Sequence, residues 1–380
     1  MYNAPLDTRN LHEFQFLFKK VGQIERRLLL KKGTFIDKYE IEECIGRGGY
    51  GDIYGAKIPG ESKVYALKLE DKQSEKNEGK DPKKLSLNKE IQCIKELQDS
   101  LDIPRFIDSG ETDRYLYYVM ELLGPSLSTV RKELSHQKFT LSTTLRVGIK
   151  MLRIIQHVHR HGYIHCDVKP SNFLLRPDCL HFLVLSDFGL MRRYVKGDDT
   201  NGSHIEKRLS IGFNGTRKYA SPNSLEENTL SRKDDLVSWL YSLYEMKNGY
   251  LPWSTKKKDE MKQMKSHFTT IQYFSTMPSE VQDVCQYITS LNFDEEPNYD
   301  WIVDSLLKAM NRLKIKTTDP FDWEGFSDNH ILMFSPIAEL PKATWCRVQN
   351  PKPVLSMPGK PNYKMIKNRI WRFCLCCSFS

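Results

Sequence analysis

The sequence has 380 residues, 39% of them hydrophobic and 28% charged, with a formal charge of +9. That length admits two or three domains, or one bilobal enzyme with extensions, and the composition is that of a globular chain rather than a disordered or fibrous one. No run approaches the roughly 18 apolar residues that a membrane-spanning helix needs, and the start, MYNAPLDTRN, lacks the apolar core of a secretory signal, so a cytoplasmic protein is expected.

The charge is concentrated at the ends. Residues 341–380 carry eight basic residues and no acid, and residues 1–33 carry seven basic residues against three acids, which leaves the middle slightly acidic. Six of the nine cysteines are scattered singly, and Cys374, Cys376 and Cys377 crowd into the last seven residues. An odd and scattered set predicts reduced thiols rather than a disulfide framework or a cysteine zinc site.

Residues 11–30, LHEFQFLFKKVGQIERRLLL, place Phe14, Leu17, Val21, Ile24 and Leu28 at three- and four-residue spacing, one apolar face of a helix. Packing on a neighbouring lobe and lying as a basic amphipathic helix on a membrane or a partner are both open at this point. From Tyr39 the pattern turns β-like: YEIEECIG, a glycine-rich turn, GDIYGAKI, then SKVYALKLE. The turn, Gly46-Arg47-Gly48-Gly49-Tyr50-Gly51, has G-x-G-x-x-G spacing, and it lies between two strand-like runs instead of opening a helix. It therefore predicts a hairpin whose backbone amides cover phosphates, where a Cβ would keep them away.

Lys68 ends the run YALK, and by itself reads as a strand meeting solvent. Glu90 lies 22 residues on in LSLNKEIQCIKELQ, where Leu87, Ile91, Ile94 and Leu97 define a helical face. Taken together, the two match a lysine that holds nucleotide phosphates and the helix carboxylate that fixes it. Next, YLYYVMELLGPSL predicts a buried strand that stops at Gly-Pro, and TLSTTLRVGIKMLRIIQHVHRHG predicts a long helix that finishes at Gly162.

That helix delivers the chain into His165–Leu175, HCDVKPSNFLL. Asp167, Lys169 and Asn172 stand there at offsets of two and five, the spacing of a phosphoryl-transfer loop. A carboxylate orients the hydroxyl, an ammonium neutralises charge on the moving phosphoryl group, and an amide oxygen reaches a metal. The following strand-like run ends in Asp187-Phe188-Gly189, which in register with Asn172 predicts a second metal ligand. The polar, basic stretch from there to Ser221, about 35 residues, is longer than an ordinary connection and predicts a functional loop.

Residues 39 to about 315 resemble a eukaryotic protein kinase. The strings MELLGPSL, KPSNFLL, GTRKYASPNSL, SRKDDLVSWLY and GYLPW resemble the casein kinase 1 family, while FTLSTTLRVG, MPSEV and FDWE resemble its tau-tubulin kinase branch. The resemblance implies an α+β bilobal fold, with a small antiparallel β-rich N-lobe over 39–123 and a larger helical C-lobe over 124–315. These are flanked by an N-terminal extension (1–38) and a basic tail (316–380). It implies ATP and Mg²⁺, with Ile45, Gly46, Gly48, Gly51, Ile53, Ala66, Lys68, Glu90, Met120, Glu121 and Leu123 around the nucleotide. Asp167 and Lys169 become catalytic, Asn172 and Asp187 metal ligands, and Asp235 an anchor for the catalytic-loop backbone. Lys218, where the family has arginine, and Lys256, Lys257 and Lys258 would favour protein acceptors with acidic or phosphorylated segments; a solvated helix start is the plainer reading of the three lysines.

Position 166 is cysteine where most kinases have arginine, so the side chain that would pair with a phosphorylated activation loop is missing. The thiol there is either oxidisable or inert. Beyond Pro341 an extended tail is expected, and its terminal cysteines beside aromatic and basic residues resemble S-acylated tails that anchor to membranes. A plain disordered tail and a metal site are the other readings. A monomer that does not bind nucleic acid is expected. A scaffold that binds nucleotide and partners without catalysis is the alternative to an active kinase, but it would not need Lys68, Glu90, Asp167, Lys169, Asn172 and Asp187 all together.

Overall fold

A computed structural model describes residues 29–48, 51–73, 86–177, 179–197, 203–209, 212–267 and 274–324. The expected N-terminal helix up to residue 28, the tip of the glycine turn at 49 and 50, and the tail with Cys374, Cys376 and Cys377 lie outside the described residues.

The N-terminal half of the fold is a six-stranded antiparallel sheet in the order β1-β2-β3-β4-β6-β5. Its strands are β1 (Phe35–Ile36), β2 (Tyr39–Gly48), β3 (Gly51–Lys57), β4 (Val64–Asp71), β5 (Phe106–Glu111) and β6 (Tyr115–Glu121). Alternation along β4 sorts its side chains to two covered faces. Tyr65, Leu67 and Leu69 join Tyr39, Ile41, Tyr54, Ala56, Tyr117 and Val119 in an outer apolar cluster. Ala66 faces the opposite way, into the main core, and Lys68 and Glu70 share its face. Burial on both faces is why VYALKLED reads as almost continuously buried.

Helix α1 (Ser86–Glu96) starts where Glu70 of β4 accepts from Leu87 N at 2.7 Å and Ser86 Oγ at 3.0 Å, satisfying donors that a helix start leaves free. Its predicted face, Leu87, Ile91 and Ile94, is buried together with Leu97.

After β6 come α2 (Leu127–Glu133) and α3 (Leu141–Arg160). Helix α3 is capped at Thr140, whose side chain accepts from Thr143 N, and the chain leaves it through Gly162 at φ +78°. Two short pairs follow, β7 (Tyr163–Ile164) with β10 (Arg192–Arg193), and β8 (Phe173–Arg176) with β9 (Cys179–Leu185). The remaining helices are α4 (Pro222–Leu225), α5 (Arg232–Asn248), α6 (Lys258–Ser266), α7 (Ser279–Ser290) and α8 (Tyr299–Arg312). At the crossing of α3 and α5, a Cβ on Gly148 would sit 2.5 Å from Leu243 Cδ2, and Trp239 Nε1 donates to Gly148 O at 2.9 Å. A side chain at 148 would force Leu243 to move at that crossing.

A β-rich sheet layer above a helical layer makes this an α+β bilobal fold. Its packed part reaches past 315: Asp322 accepts from Thr140 N and Oγ1 at 2.6 and 2.8 Å, and Trp323 is buried against Phe139 and Phe321.

Candidate active site

The site forms where the sheet, α1 and the loops after α3 and β9 converge. Lys68 is centred on β4, in register with Ile53 on one side and Tyr118 on the other. Its Nζ lies 2.6 and 2.8 Å from the two oxygens of Glu90 on α1, and 3.4 Å from Asp187 Oδ1. Tyr118 on β6 donates to the same Glu90 carboxylate at 3.0 Å. Burial alone would pull the Lys68 ammonium down, but the charges of Glu90 and Asp187 outweigh it and hold the group above its ordinary value. A buried lysine with two acidic neighbours is a fixed positive charge facing the cleft.

Ala66 pairs with Gly55 on one side and Met120 on the other, so Ala66, Lys68 and Met120 lie on the cleft side of the sheet. Glu121 ends β6; its N–H donates to Arg105 O at 2.9 Å, and its carboxylate is held by Arg176 at 2.7 Å, which fixes the segment running to Leu123. The glycine turn is a hairpin, with Gly46 opposite Ile53 and Gly48 opposite Gly51. Gly51 has φ +152°, and a Cβ there would lie 2.3 Å from Leu69 O. Ile45 and Ile53 are half-buried against the main core.

The catalytic loop is tied down from below. Asp235, at the start of α5, accepts from His165 N at 2.6 Å, Cys166 N at 2.9 Å and His159 Nε2 at 2.9 Å. Burial would raise this carboxyl, yet the His159 hydrogen bond and the nearby imidazoles keep it below its usual range, so a full negative charge organises the turn. Cys166 sits in the left-handed region at φ 66°. A Cβ on Gly215 would come 3.1 Å from Cys166 O, so the activation segment passes hard against the loop.

Asp167 is reached from both sides. Lys169 Nζ contacts its Oδ2 at 2.5 Å and Thr216 Oγ1 at 2.9 Å, while Thr216 N donates to its Oδ1 at 3.0 Å. Asn172 Nδ2 donates to Asp167 O at 2.9 Å, which leaves the amide oxygen of Asn172 free to turn to a cation. Ser186 N donates to Asn172 O at 2.8 Å, joining the loop to the strand end that carries Asp187. Asp187 lies at φ 65°, a left-handed conformation of the kind stored at functional sites. Burial would raise its carboxyl, but Lys68, His165 and Lys169 pull it below its ordinary value. A carboxylate and an amide oxygen on adjoining segments are the donor chemistry of a hard divalent cation, so Asn172 and Asp187 fit Mg²⁺.

The lysines expected to meet an acidic acceptor are placed differently from one another. Lys218 donates to Glu245 Oε1 at 2.6 Å, where Glu245 also takes Tyr219 OH and Arg131. One carboxylate therefore faces two cations, Lys218 and Arg131, which leaves net positive charge there. Lys256, Lys257 and Lys258 are exposed at the start of α6, where Lys256 and Lys258 pair with Glu260 and Glu227 at 3.3 Å each. Trp253 Nε1 donates to Lys218 O at 2.8 Å, which ties the run just before the three lysines to the backbone at Lys218.

Sequence reasoning missed Thr216, Gly215 and Lys265. Thr216 stands 49 residues from Asp167; with Gly215 it opens the string GTRKYASPNSL, which carried the family resemblance but no role for either residue. Lys265, on α6, is 1% exposed; its Nζ donates to the carbonyls of Arg217, Lys218 and Ala220 at 2.7, 3.1 and 2.7 Å and faces the rings of Tyr241 and Trp253. Only its place in an amphipathic helix could have singled it out.

A lysine–glutamate pair, a loop acid with its lysine, and two oxygen donors in one interlobe cleft define a phosphotransferase of the protein kinase class. The comparisons agree. The protein kinase domain family matches residues 39–312, and the chain belongs to that family. It is 37% identical over 76% of its length to a probable serine/threonine-protein kinase of Dictyostelium discoideum, of whose own length it spans 56%. It is 31% identical over 78% of its length to a putative serine/threonine-protein kinase of Caenorhabditis elegans, spanning 84% of that protein. It is 33% identical over 74% of its length to a probable casein kinase I homolog of Encephalitozoon cuniculi, spanning 88%. Its relatives place it on the serine/threonine side of the family, and protein kinase domains in general use ATP and a divalent metal.

Proposed function

We propose that the protein is an active serine/threonine kinase of the casein kinase 1 type, on its tau-tubulin kinase branch, that moves the γ-phosphoryl group of ATP to serine or threonine of protein acceptors. The observation that carries this is Asp167, whose carboxylate is held by Lys169 and Thr216 beside the assembled Lys68–Glu90 pair. Lys68 supports the α- and β-phosphates. Asp167 orients the acceptor hydroxyl and takes its proton as the new O–P bond forms and the bond from the γ-phosphorus to the bridging oxygen breaks. Lys169 balances the charge spread over the phosphoryl oxygens. Mg²⁺, when held by Asn172 and Asp187, supplies neutralisation of the phosphates. A scaffold without catalysis would have no need of this set in working register.

Acidic or previously phosphorylated acceptors are the preferred substrates on this reading, supported by the exposed Lys256, Lys257 and Lys258 next to the segment that holds Thr216. Lys218, which shares Glu245 with Arg131, adds positive charge to the same reading. Peptide pairs with and without a phosphoserine three residues before the acceptor test this. The reading requires a preference for the primed peptide that Lys256→Ala/Lys257→Ala/Lys258→Ala weakens, and equal use of both peptides would refute it. The protein is proposed to be cytoplasmic, with a membrane-bound pool attached through acylation of Cys374, Cys376 and Cys377. Replacing the three with serine should shift it to the soluble fraction, and a wild type already wholly soluble in cells would end that idea.

A further inference from the structure

Away from the cleft, the turn after α1 meets the last turns of α3. His157 and His161, one helical turn apart, lie side by side with ring centroids 4.5 Å apart. Both direct Nε2 at one oxygen, Asp99 Oδ1, at 3.2 and 3.3 Å. Their other nitrogens are spoken for. His161 Nδ1 lies 3.0 Å from His157 O, and His157 hydrogen-bonds the backbone of Leu97. A carbonyl can only accept, so in each neutral ring the proton sits on the nitrogen facing it, and the lone pair is left on Nε2.

Three lone-pair atoms then face one another within 4.8 Å, and His157 Nε2 is shut off from solvent without a hydrogen-bond partner. Acceptors so arranged repel unless a proton or a cation stands between them. The spacing suits the cation: ligand atoms about 2.0–2.1 Å from a tetrahedral Zn²⁺ stand about 3.3 Å apart. Backbone carbonyls on the far ring nitrogens are the usual outer support of metal-bound histidine. His159, between the two, points elsewhere, to Asp235 and Tyr299.

We propose that Asp99, His157 and His161 form a site for a divalent transition-metal ion of the Zn²⁺ class, with solvent completing the coordination on the side where Asp99 is 63% exposed. Two imidazoles and one carboxylate select such an ion over Mg²⁺ or Ca²⁺, which take oxygen ligands. Asp99 stands just past α1, the helix that carries Glu90, so a bound ion ties that helix to α3.

The test uses the full chain, stripped of metal by chelation and free of nucleotide, titrated with Co²⁺ and then with Zn²⁺ in competition. The expected result is one equivalent of Co²⁺ with visible d–d bands and no thiolate charge-transfer band, displaced by Zn²⁺. His161→Ala and Asp99→Asn, both at solvent-accessible positions, should each weaken binding at least about tenfold. A thermal shift on adding Zn²⁺ should appear in the wild type and be lost in both variants. Absence of binding, a thiolate band alone, which would mean the cysteines are the ligands, or affinity unchanged in His161→Ala would each overturn the proposal.

Discussion

Replacing Lys265 with methionine keeps the volume and removes the charge and all three donors. The wild-type ammonium ties together the carbonyls of Arg217, Lys218 and Ala220, directly after Thr216. Lys218 O keeps its bond from Trp253, so the loss falls chiefly on Arg217 O and Ala220 O. Leaving the buried Ala220 O unsatisfied costs about 1–3 kcal/mol, Arg217 O belongs to an exposed residue where water can replace the ammonium, and relief from burying an ammonium offsets part of the loss, for a net of about 1–2 kcal/mol. At about 2 °C per kcal/mol, the low end of the scale for a chain of this size, Tm should fall by about 2–4 °C. Peptide phosphorylation well below Tm should also fall, because the released segment is the one that positions Thr216 against Asp167. The pH dependence has a definite sign. Burial pushes Lys265 down to about 7, against about 10.4 in the unfolded chain. Between those values the unfolded chain binds the extra proton, so this residue adds stability as pH rises through 7, and its burial cost is felt in full below 7. The carbonyls and rings that favour the ammonium reduce the size of that rise. A Lys265→Met protein within about 0.5 kcal/mol of wild type, with unchanged activity and the same pH slope, would refute the reasoning.

Glu90→Gln preserves shape but removes the charge opposite Lys68; phosphoryl transfer should fall by about 10²-fold while the fold survives, as read by steady-state kinetics beside circular dichroism. Gly51→Ala forces a Cβ against Leu69 O at φ +152° and should cost about 1–3 kcal/mol in denaturant unfolding, together with weaker ATP binding. Arg312 holds Glu280 at 2.7 and 2.8 Å and lowers its carboxyl to about 2. Arg312→Ala should lower stability slightly above pH 5, and the gap to wild type should close as pH falls below about 4.3 toward 2. Burial raises the Cys166 thiol well above its ordinary value, so in the native protein it should react with iodoacetamide at neutral pH far more slowly than in denaturant.

Much of the site was legible because its chemistry is written in short strings. HCDVKPSN and DFG fix their spacing locally, and the glycine turn between two strand-like runs announced its hairpin. Lys68 and Glu90 could be joined across 22 residues because a strand-like run and a helix face each carried their own period, although Lys68 proved to be a buried mid-strand residue and not the strand's solvent end. The contacts that hold Asp167 in place were not legible in the same way. Thr216 and Gly215 reach it only through the path of the activation segment, which tertiary packing sets. The surroundings of Lys218 were equally hidden: Glu245, which it shares with Arg131, lies 27 residues away inside α5. His157 and His161 stand four apart in a run read only as a long helix, and Asp99 joins them from a turn with no periodicity to betray it. The FDWE segment read only as a family string; its packing on α3 depends on Thr140 and Phe139, far back in the chain.

The central claim is that this constellation transfers phosphate and that Asp167 is the group on which transfer turns. The most direct measurement is transfer of labelled γ-phosphate from Mg-ATP to casein by the full-length wild type and by Asp167→Asn, with nucleotide binding followed in parallel. The account predicts phosphoserine or phosphothreonine formation by the wild type, a loss of about 10²–10⁴-fold in the variant, and nucleotide binding by both. Binding of nucleotide without transfer by the wild type, or transfer undiminished in Asp167→Asn, would contradict it.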